Sequence, residues 1–389
     1  MANFYKPHIG GVENSLYYLS KEYIKLGYKV IILVSDSGLT KKDRLPFYEK
    51  VNNSLEIFRF RTYFPKFYLD YLLKFPFELL RIKKIVSFLM NDRSIKKIIS
   101  RHWITSLGTI ISRNKVTYVV PGIAINQDLL STKDIKSRMI NLLAIKPQIF
   151  LQKFALKKSK LVVFSKNMKN QILDFLKNQI KLIEIYDPGV DCDKFESQIN
   201  PNIREKYNIP DNSFTFLVVG RLIKDKAIQY AIEALSLLEN KNTHLLIVGE
   251  GPERNFLETL TKKLNIDNRV IFVGKIKKHI ENFYFASDCY LMTSVKETFG
   301  QTILEALASG IPVIGWKSGG VIKTATSEII KNNINGYLID FKQKKLIMAM
   351  EDISNSSKNE INMFRLNNKA LAKKKYSWKL IASKLINEK

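Results

Sequence analysis

Two carboxylates and two cations are spaced as a binding site for a polar, anionic ligand would need them. In the run Lys296-Glu297-Thr298-Phe299-Gly300-Gln301-Thr302-Ile303-Leu304-Glu305-Ala306-Leu307-Ala308-Ser309-Gly310, Glu297 precedes a helix predicted over residues 300–309. Glu305 falls about one and a half turns inside that helix, among apolar residues. An ionised carboxylate in such company is costly unless hydrogen-bond donors reach it. Sugar and ribose hydroxyls are suitable donors, and the N–H groups at the helix start near Gly300 suit a phosphate. The structural alternative is that Glu305 caps or pairs within the fold.

The cations lie in Val219-Gly220-Arg221-Leu222-Ile223-Lys224-Asp225-Lys226, where a strand ends in Gly220 and delivers Arg221 and Lys226 onto one loop. In open α/β folds that loop borders the carboxyl edge of the sheet, where ligands bind. A guanidinium and an ammonium together neutralise a diphosphate, most of all as it departs and its charge grows. A solvated basic loop is the alternative. Among the other groups able to do chemistry, His8, His102, His244 and His279 are scattered, and neither an Asp-x-Asp nor a His/Cys cluster at ligand spacing occurs. No metal or cofactor is expected.

These residues need elements to hold them. From about Phe214, short β-branched runs alternate with helical periodicity, the pattern of a parallel sheet wound with helices. Strands are predicted at 214–220, 244–248, 270–273, 289–293 and 312–315. Helices are predicted at 226–238, 252–264, 279–286 and 300–309. The first half has the same rhythm: a helix near 11–26, strands at 29–34, 55–60, 97–101 and 117–121, a helix at 137–156, a strand at 161–165 and a helix at 166–177. Two doubly wound α/β domains in series are the economical reading. Their boundary is expected within 187–210, where Pro188, Gly189, Pro201 and Pro210 punctuate the chain.

Composition agrees with that organisation. The 389 residues are 46% hydrophobic, enough for a core in each of two domains and against global disorder. Two cysteines exclude a disulfide framework and favour a reducing compartment. The longest stretch without charge, residues 116–127, is far short of the roughly 18–20 residues a spanning helix needs. The formal charge is +27 and uneven: residues 1–200 hold 34 Lys+Arg against 17 Asp+Glu, and residues 201–389 hold 29 against 19. Such an excess favours anionic partners. Because 50 of the 63 cations are Lys, compositional drift accounts for it equally well.

Taken together and in order, the motifs resemble those of the retaining nucleotide-sugar glycosyltransferases of family 4, which have the GT-B fold, two Rossmann-like domains facing across a cleft. The resemblance extends through Gly10-Gly11-Val12-Glu13, Asp187-Pro188-Gly189-Val190-Asp191 with Phe195, Gly249-Glu250-Gly251-Pro252-Glu253, Gly319-Gly320, Asn335-Gly336 and Tyr376-Ser377-Trp378. It covers nearly the whole chain.

The resemblance implies an acceptor-binding domain over 1–195 and a nucleotide-sugar domain over 205–375, with a terminal helix near 376–389 returning to the first. It implies that Gly220, Arg221 and Lys226 meet the donor diphosphate, Glu305 the ribose and Glu297 the transferred sugar. N–H groups near Phe299 and Gly300 would meet the sugar-phosphate, and Gly10 and Gly11 would face the donor. Glu297, Arg221 and Lys226 would then carry the chemistry, a metal-independent hexosyl transfer with retention in which the leaving diphosphate takes the acceptor proton.

The chain departs from that family in two places. The stretch aligned with a family His is Thr117-Tyr118-Val119-Val120-Pro121-Gly122-Ile123, which has none, so that role does not transfer; Arg101 or His102 after the preceding strand is a candidate for donor or acceptor contact, with a structural or surface role for His102 as the alternative. Only nine residues precede Gly10, so the central first strand of the first sheet is expected to be missing.

On the acceptor side, residues 58–77 hold nine aromatics, among them Phe64, Phe67, Tyr68 and Tyr71, interleaved with Arg59, Arg61, Lys66 and Lys74. Rings alternating with cations suit a membrane interface. The expectation is a cytoplasmic protein, peripheral on an anionic membrane surface, acting on a glycan or lipid-linked acceptor. A catalytically impaired relative and a basic nucleic-acid-binding protein are the alternatives, though no RNP, zinc-finger or helix-turn-helix pattern is present and no nucleic acid is expected.

Overall fold

Phe214-Thr215-Phe216-Leu217-Val218-Val219 has no polar face, and the structure explains why: the strand lies mid-sheet with helices over both faces. The computed structural model describes residues 1–8, 10–37, 43–62, 70–123, 135–180, 182–196 and 202–387. The chain divides into two units, Met1–Tyr186 with Ile381–Lys389, and Asp187–Leu380.

The first unit runs α1 (Gly11–Lys25), β1 (Val30–Ser35), β2 (Tyr48–Asn52), β3 (Leu55–Phe60), α2 (Asp70–Asp92), β4 (Ile99–Ser100), α3 (Trp103–Ile111), β5 (Thr117–Val119), α4 (Ile135–Lys158), β6 (Lys160–Val163), α5 (Lys166–Phe175) and β7 (Glu184–Ile185). Its strands form a three-stranded sheet, β1-β3-β2, and a four-stranded parallel sheet, β4-β5-β6-β7. β1 and β3 are parallel, and β2 is an antiparallel edge.

Between the two sheets lies Met1–Asn3. Ala2 N–H donates to Leu33 O (3.1 Å) and Ser35 N–H to Asn3 O (2.9 Å), while Arg101 N–H donates to Met1 O (2.7 Å). The Met1 ammonium donates to Ile99 O (2.6 Å). The position expected to lack a strand is thus filled by three residues at one end. Leu33, Phe58, Ile82, Ile104 and Leu161 lie in the core on one side of this layer; Ala2, Leu16, Ile32 and Ile57 lie in the core under α1.

The second unit runs α6 (Ile203–Lys206), β8 (Phe214–Val219), α7 (Gln229–Leu237), β9 (Thr243–Val248), α8 (Arg254–Lys263), β10 (Val270–Gly274), α9 (Glu281–Phe285), β11 (Cys289–Met292), α10 (Gln301–Ser309), β12 (Val313–Trp316), α11 (Thr326–Ile329), β13 (Gly336–Ile339), α12 (Gln343–Ser354) and α13 (Lys358–Lys375). The terminal helix α14 (Trp378–Asn387) starts here, and from Ile381 its residues belong to the first unit. The sheet order β10-β9-β8-β11-β12-β13 reverses direction between β8 and β11, the doubly wound arrangement whose ligand crevice lies beyond the strand carboxyl ends. Every pairing in it is parallel.

Several expected elements change on folding. The helix predicted from Lys226 starts at Gln229, because Lys224–Lys226 is a 3-10 turn closed by Ala227 at φ 48°. The predicted strand 97–101 shrinks to Ile99–Ser100. β2, α2, α3, β7, α6, α11, β13, α12 and α13 have no counterpart among the elements expected from the sequence.

Candidate functional site

Beyond the carboxyl end of β8, Gly220 adopts φ 157°, and a Cβ there would sit 3.3 Å from Lys226 Cε, so the lysine stem lies against the bare backbone. Gly249, at φ 152°, comes so close to the same turn that a Cβ would fall 1.8 Å from Gly220 O. Gly220 N–H donates to Val248 O (3.0 Å), Leu222 N–H to Glu250 O (3.0 Å) and Gly249 N–H to Gly274 O (3.0 Å). The loops after β8, β9 and β10 are knitted together, leaving Arg221 exposed and Lys226 half-buried.

Lys226 Nζ donates to Glu297 Oε2. The two residues are brought together by backbone links: Thr293 Oγ1 donates to Lys226 O (2.7 Å), Val295 N–H to Asp225 O (2.9 Å) and Glu297 N–H to Lys323 O (3.0 Å). Lys296 pairs with Asp225 at 3.5 Å. Gly300, at φ 92°, turns the chain into α10, and Phe299 beside it is buried against Tyr376. The α10 N-terminus therefore opens next to the Lys226–Glu297 pair, with its dipole and first N–H groups favouring an anion.

Glu305 lies one turn further along α10. Its Oε2 accepts from Tyr284 Oη at 2.8 Å. Burial raises the acid's pKa above the ordinary value; the Tyr284 hydrogen bond and Lys194 pull it back, and Glu281 adds to the rise. Glu281 itself is buried and paired with Lys194 at 3.0 Å. Tyr290 Oη donates to Thr302 Oγ1 (2.6 Å), and Gln301 Nε2 to Gly189 O (2.9 Å). Tyr284, Tyr290 and Gln301 are supports that the sequence did not single out. Gln301 stands within the motif; the tyrosines carry no local signal, since Tyr284 is twenty-one residues from the acid it holds.

In the first unit, Gly10 precedes α1 in extended conformation, and Gly11 is its first residue. Arg101 is buried, with its guanidinium 4.7 Å from the Phe164 ring centroid and its Nε and Nη1 without a partner. Burial lowers its pKa to about 10. His102 caps α3: its Nδ1 accepts from Ile104 N–H (3.3 Å), a role only the uncharged nitrogen can fill. Burial, with Lys74 nearby, lowers its pKa to about 4.

Arg59, read as an exposed interfacial cation, is instead buried, donating to Glu49 Oε2 (2.6 Å) and Pro46 O (3.1 Å) to hold β2 on β3. Arg61 is exposed, and its carbonyl accepts from Arg81 (3.1 Å). Tyr71 falls in the first turn of α2; Phe64, Phe67 and Tyr68 lie outside the described residues. Exposed Leu73, Leu80 and Phe88 on α2, and Phe150 and Phe154 on α4, share those helices with exposed Lys83, Lys84 and Lys157. Among the described residues no helix is long and apolar enough to cross a membrane, and no three His, Cys, Asp or Glu side chains converge as a metal site.

Residues 199–370, which contain all of the Arg221, Lys226, Glu297 and Glu305 constellation, match the family described as Glycosyl transferases group 1. An uncharacterised glycosyltransferase of Methanocaldococcus jannaschii is 29% identical over 232 residues, covering 58% of each chain. The alpha-monoglucosyldiacylglycerol synthase of Streptococcus pneumoniae is 37% identical over 134 residues, 32% of this chain and 30% of that one. The chain thus spans little more than half the length of one curated relative and under a third of the other. Among solved structures, Anabaena HepE in complex with UDP-glucose superposes with TM-score 0.71 at 19% identity, covering 100% of this chain and 97% of that one. The two chains share the two-unit GT-B fold.

Proposed function

We propose, from the match of residues 199–370 to the group 1 glycosyltransferases, that the chain is a member of that family and moves a hexosyl group from a nucleoside diphosphate sugar to an acceptor with retention of configuration and without a metal. The observation that supports this reading is the Lys226–Glu297 pair just before the α10 N-terminus at the carboxyl edge of one parallel sheet, with Arg221 on the same loop as Lys226 and Glu305 one turn into α10.

Each residue has a part that its surroundings support. Lys226 and Arg221 neutralise the diphosphate in place of a metal cation, and the N–H groups of the first α10 turn donate to its sugar-side phosphate. The diphosphate replaces Glu297 as the partner of Lys226, which turns the Glu297 carboxylate to the hydroxyls of the transferred sugar. Glu305, whose carboxylate form the Tyr284 hydrogen bond favours against its burial, accepts from the ribose hydroxyls. As the sugar–phosphate bond breaks, charge grows on the leaving oxygen where Lys226, Arg221 and the helix dipole stabilise it. That oxygen then takes the acceptor proton on the same face, so the protein supplies position and charge rather than a nucleophile.

The acceptor is a glycan or lipid-linked sugar, reached from a cytoplasmic protein that rests on an anionic membrane. Supporting this are the exposed aliphatic and phenyl side chains on α2 and α4 set among lysines, an arrangement that places rings in the headgroup layer and cations against lipid phosphate. The streptococcal relative is named for a glycolipid product.

Transfer from UDP-, GDP- and ADP-sugars to short lipid-linked acceptors, followed by proton NMR of the new anomeric centre with and without EDTA, tests the proposal. Retained configuration and undiminished turnover in EDTA are expected. An inverted product, or activity abolished by EDTA and restored by a divalent cation, contradicts it.

A further inference from the structure

Among the described residues other than glycine that have a positive φ, every one is exposed except Ala227, which is buried with φ 48° and ψ 40°. A Cβ in the left-handed region crowds the following carbonyl, and such strain persists only where the surroundings dictate it. Ala227 closes the turn that carries Lys226. Two bonds inside that turn, Lys226 N–H to Ile223 O (3.0 Å) and Ala227 N–H to Lys224 O (2.9 Å), move with it. Two others reach it from the segment after β11: Val295 N–H donates to Asp225 O (2.9 Å), and Thr293 Oγ1 to Lys226 O (2.7 Å). The second acts on the strained angle itself, because the Lys226 carbonyl lies in the peptide plane whose rotation sets φ of Ala227. Thr293 is a firm anchor for it. It directly follows β11 and is buried, and its own carbonyl accepts from Trp316 Nε1 of β12 (2.8 Å).

We propose that Thr293 is a positioning residue for the donor diphosphate: its hydroxyl holds the Lys226 carbonyl, keeps Ala227 left-handed and so presents Lys226 Nζ beside Glu297 and the α10 N-terminus. The last step rests on the donor reading of Lys226; the first two do not. Valine has the shape of threonine and no donor. With valine at this position the Lys226 carbonyl loses its partner, and the peptide plane is free to turn toward the negative φ that residues with a Cβ prefer. That turn lifts the lysine stem from the bare backbone of Gly220, against which it now lies. Serine keeps the donor. Glycine in place of Ala227 removes the strain, since it takes positive φ as readily as negative, and the hydroxyl then has less to hold.

The test is a double-mutant cycle on the full chain with Thr293→Val, Ala227→Gly and both together, and with Thr293→Ser as the conservative variant. Calorimetry measures the Kd of inorganic pyrophosphate and of UDP-, GDP- and ADP-sugars, and thermal unfolding measures Tm without them. Thr293→Val should weaken binding about tenfold and lower Tm by several degrees, as expected for a buried carbonyl left without its donor. Thr293→Ser should stay within about twofold of wild type, and in the Ala227→Gly background Thr293→Val should cost about twofold or less. Equal losses in the two backgrounds overturn the proposal, as does wild-type affinity in Thr293→Val or a Thr293→Ser as weak as Thr293→Val. Failure of the donor reading looks different: neither pyrophosphate nor any sugar nucleotide binds wild type, while the Tm values still couple Thr293 to Ala227 and uphold the clamp.

Discussion

Replacing Tyr284 with phenylalanine removes the hydroxyl that donates to Glu305 and, at 3.4 Å, to Thr302 O. The ring is fully buried and the substitution removes only the hydroxyl, 2.8 Å from Glu305 Oε2. A hydrogen bond to a charged group contributes about 1.5–3 kcal/mol. That bond favours the ionised acid, so its loss shifts the protonation equilibrium of Glu305 toward the neutral form. Burial already pushes this carboxyl in that direction. A neutral Glu305 is a weaker acceptor for ribose hydroxyls, so the variant should lose donor affinity as pH falls. Calorimetric titration of a nucleoside diphosphate sugar at pH 6, 7 and 8 measures it. The ratio of variant to wild-type Kd should grow from pH 8 to pH 6, by no more than the roughly 10- to 150-fold that about 1.5–3 kcal/mol of hydrogen-bond energy represents. A ratio that is constant across the range refutes the assignment of Glu305 as an ionised acceptor held by Tyr284.

Glu297→Gln should release Lys226 from its ion pair, so that a nucleoside diphosphate lacking sugar binds several-fold more tightly while turnover of the sugar nucleotide falls; weaker diphosphate binding argues against competition for Lys226. Gly249→Ala places a Cβ 1.8 Å from Gly220 O at φ 152°, and a clash with backbone that cannot yield should cost on the order of 4 kcal/mol or more; an unchanged Tm speaks against the knitted loops. In the 389-residue chain burial, with Arg101 nearby, lowers the Met1 ammonium pKa from 8.0 to about 5. Its folded pKa lies below its unfolded one, so between pH 5 and 8 the unfolded chain binds more protons and stability rises with pH, by on the order of 4 kcal/mol in all. Urea unfolding at several pH values should show this slope in the unmodified 389-residue chain and a smaller one after acetylation of the Met1 nitrogen. Wild-type protein should co-sediment with anionic vesicles more than with neutral ones, and Phe150→Ser with Phe154→Ser should weaken it; equal sedimentation with both kinds of vesicle removes the electrostatic part.

The second unit was the more legible because its strands are covered on both faces, which forces continuous β-branched runs such as Thr243–Val248. Gly310, at φ 90°, marks the end of α10 as plainly in the sequence as in the structure. Ala227 is the exception: nothing in its identity announces a left-handed residue, and it shortens the predicted helix.

In the first unit the physical signals are weaker. β2, Tyr48-Glu49-Lys50-Val51-Asn52, is exposed throughout, so no apolar alternation reveals it. α3 is only nine residues long and buried on nearly all sides, so its apolar run does not announce a helix, and α2 continues through Pro76 where a break is the usual reading. The site divides in the same way. Glu305 was visible as a carboxylate in apolar company, whereas its dependence on Tyr284 exists only once α9 and α10 are folded together. Arg59 looked like an interfacial cation because its partner, Glu49, sits on a strand the sequence conceals.

The central claim is that one constellation in residues 199–370 holds a nucleoside diphosphate sugar. A thermal-shift series of UDP-, GDP- and ADP-sugars against wild type, Lys226→Ala and Glu305→Ala tests it most directly. At least one donor should raise the wild-type Tm by several degrees, with the shift lost in both variants. No shift with any donor, or equal shifts in all three proteins, contradicts the site.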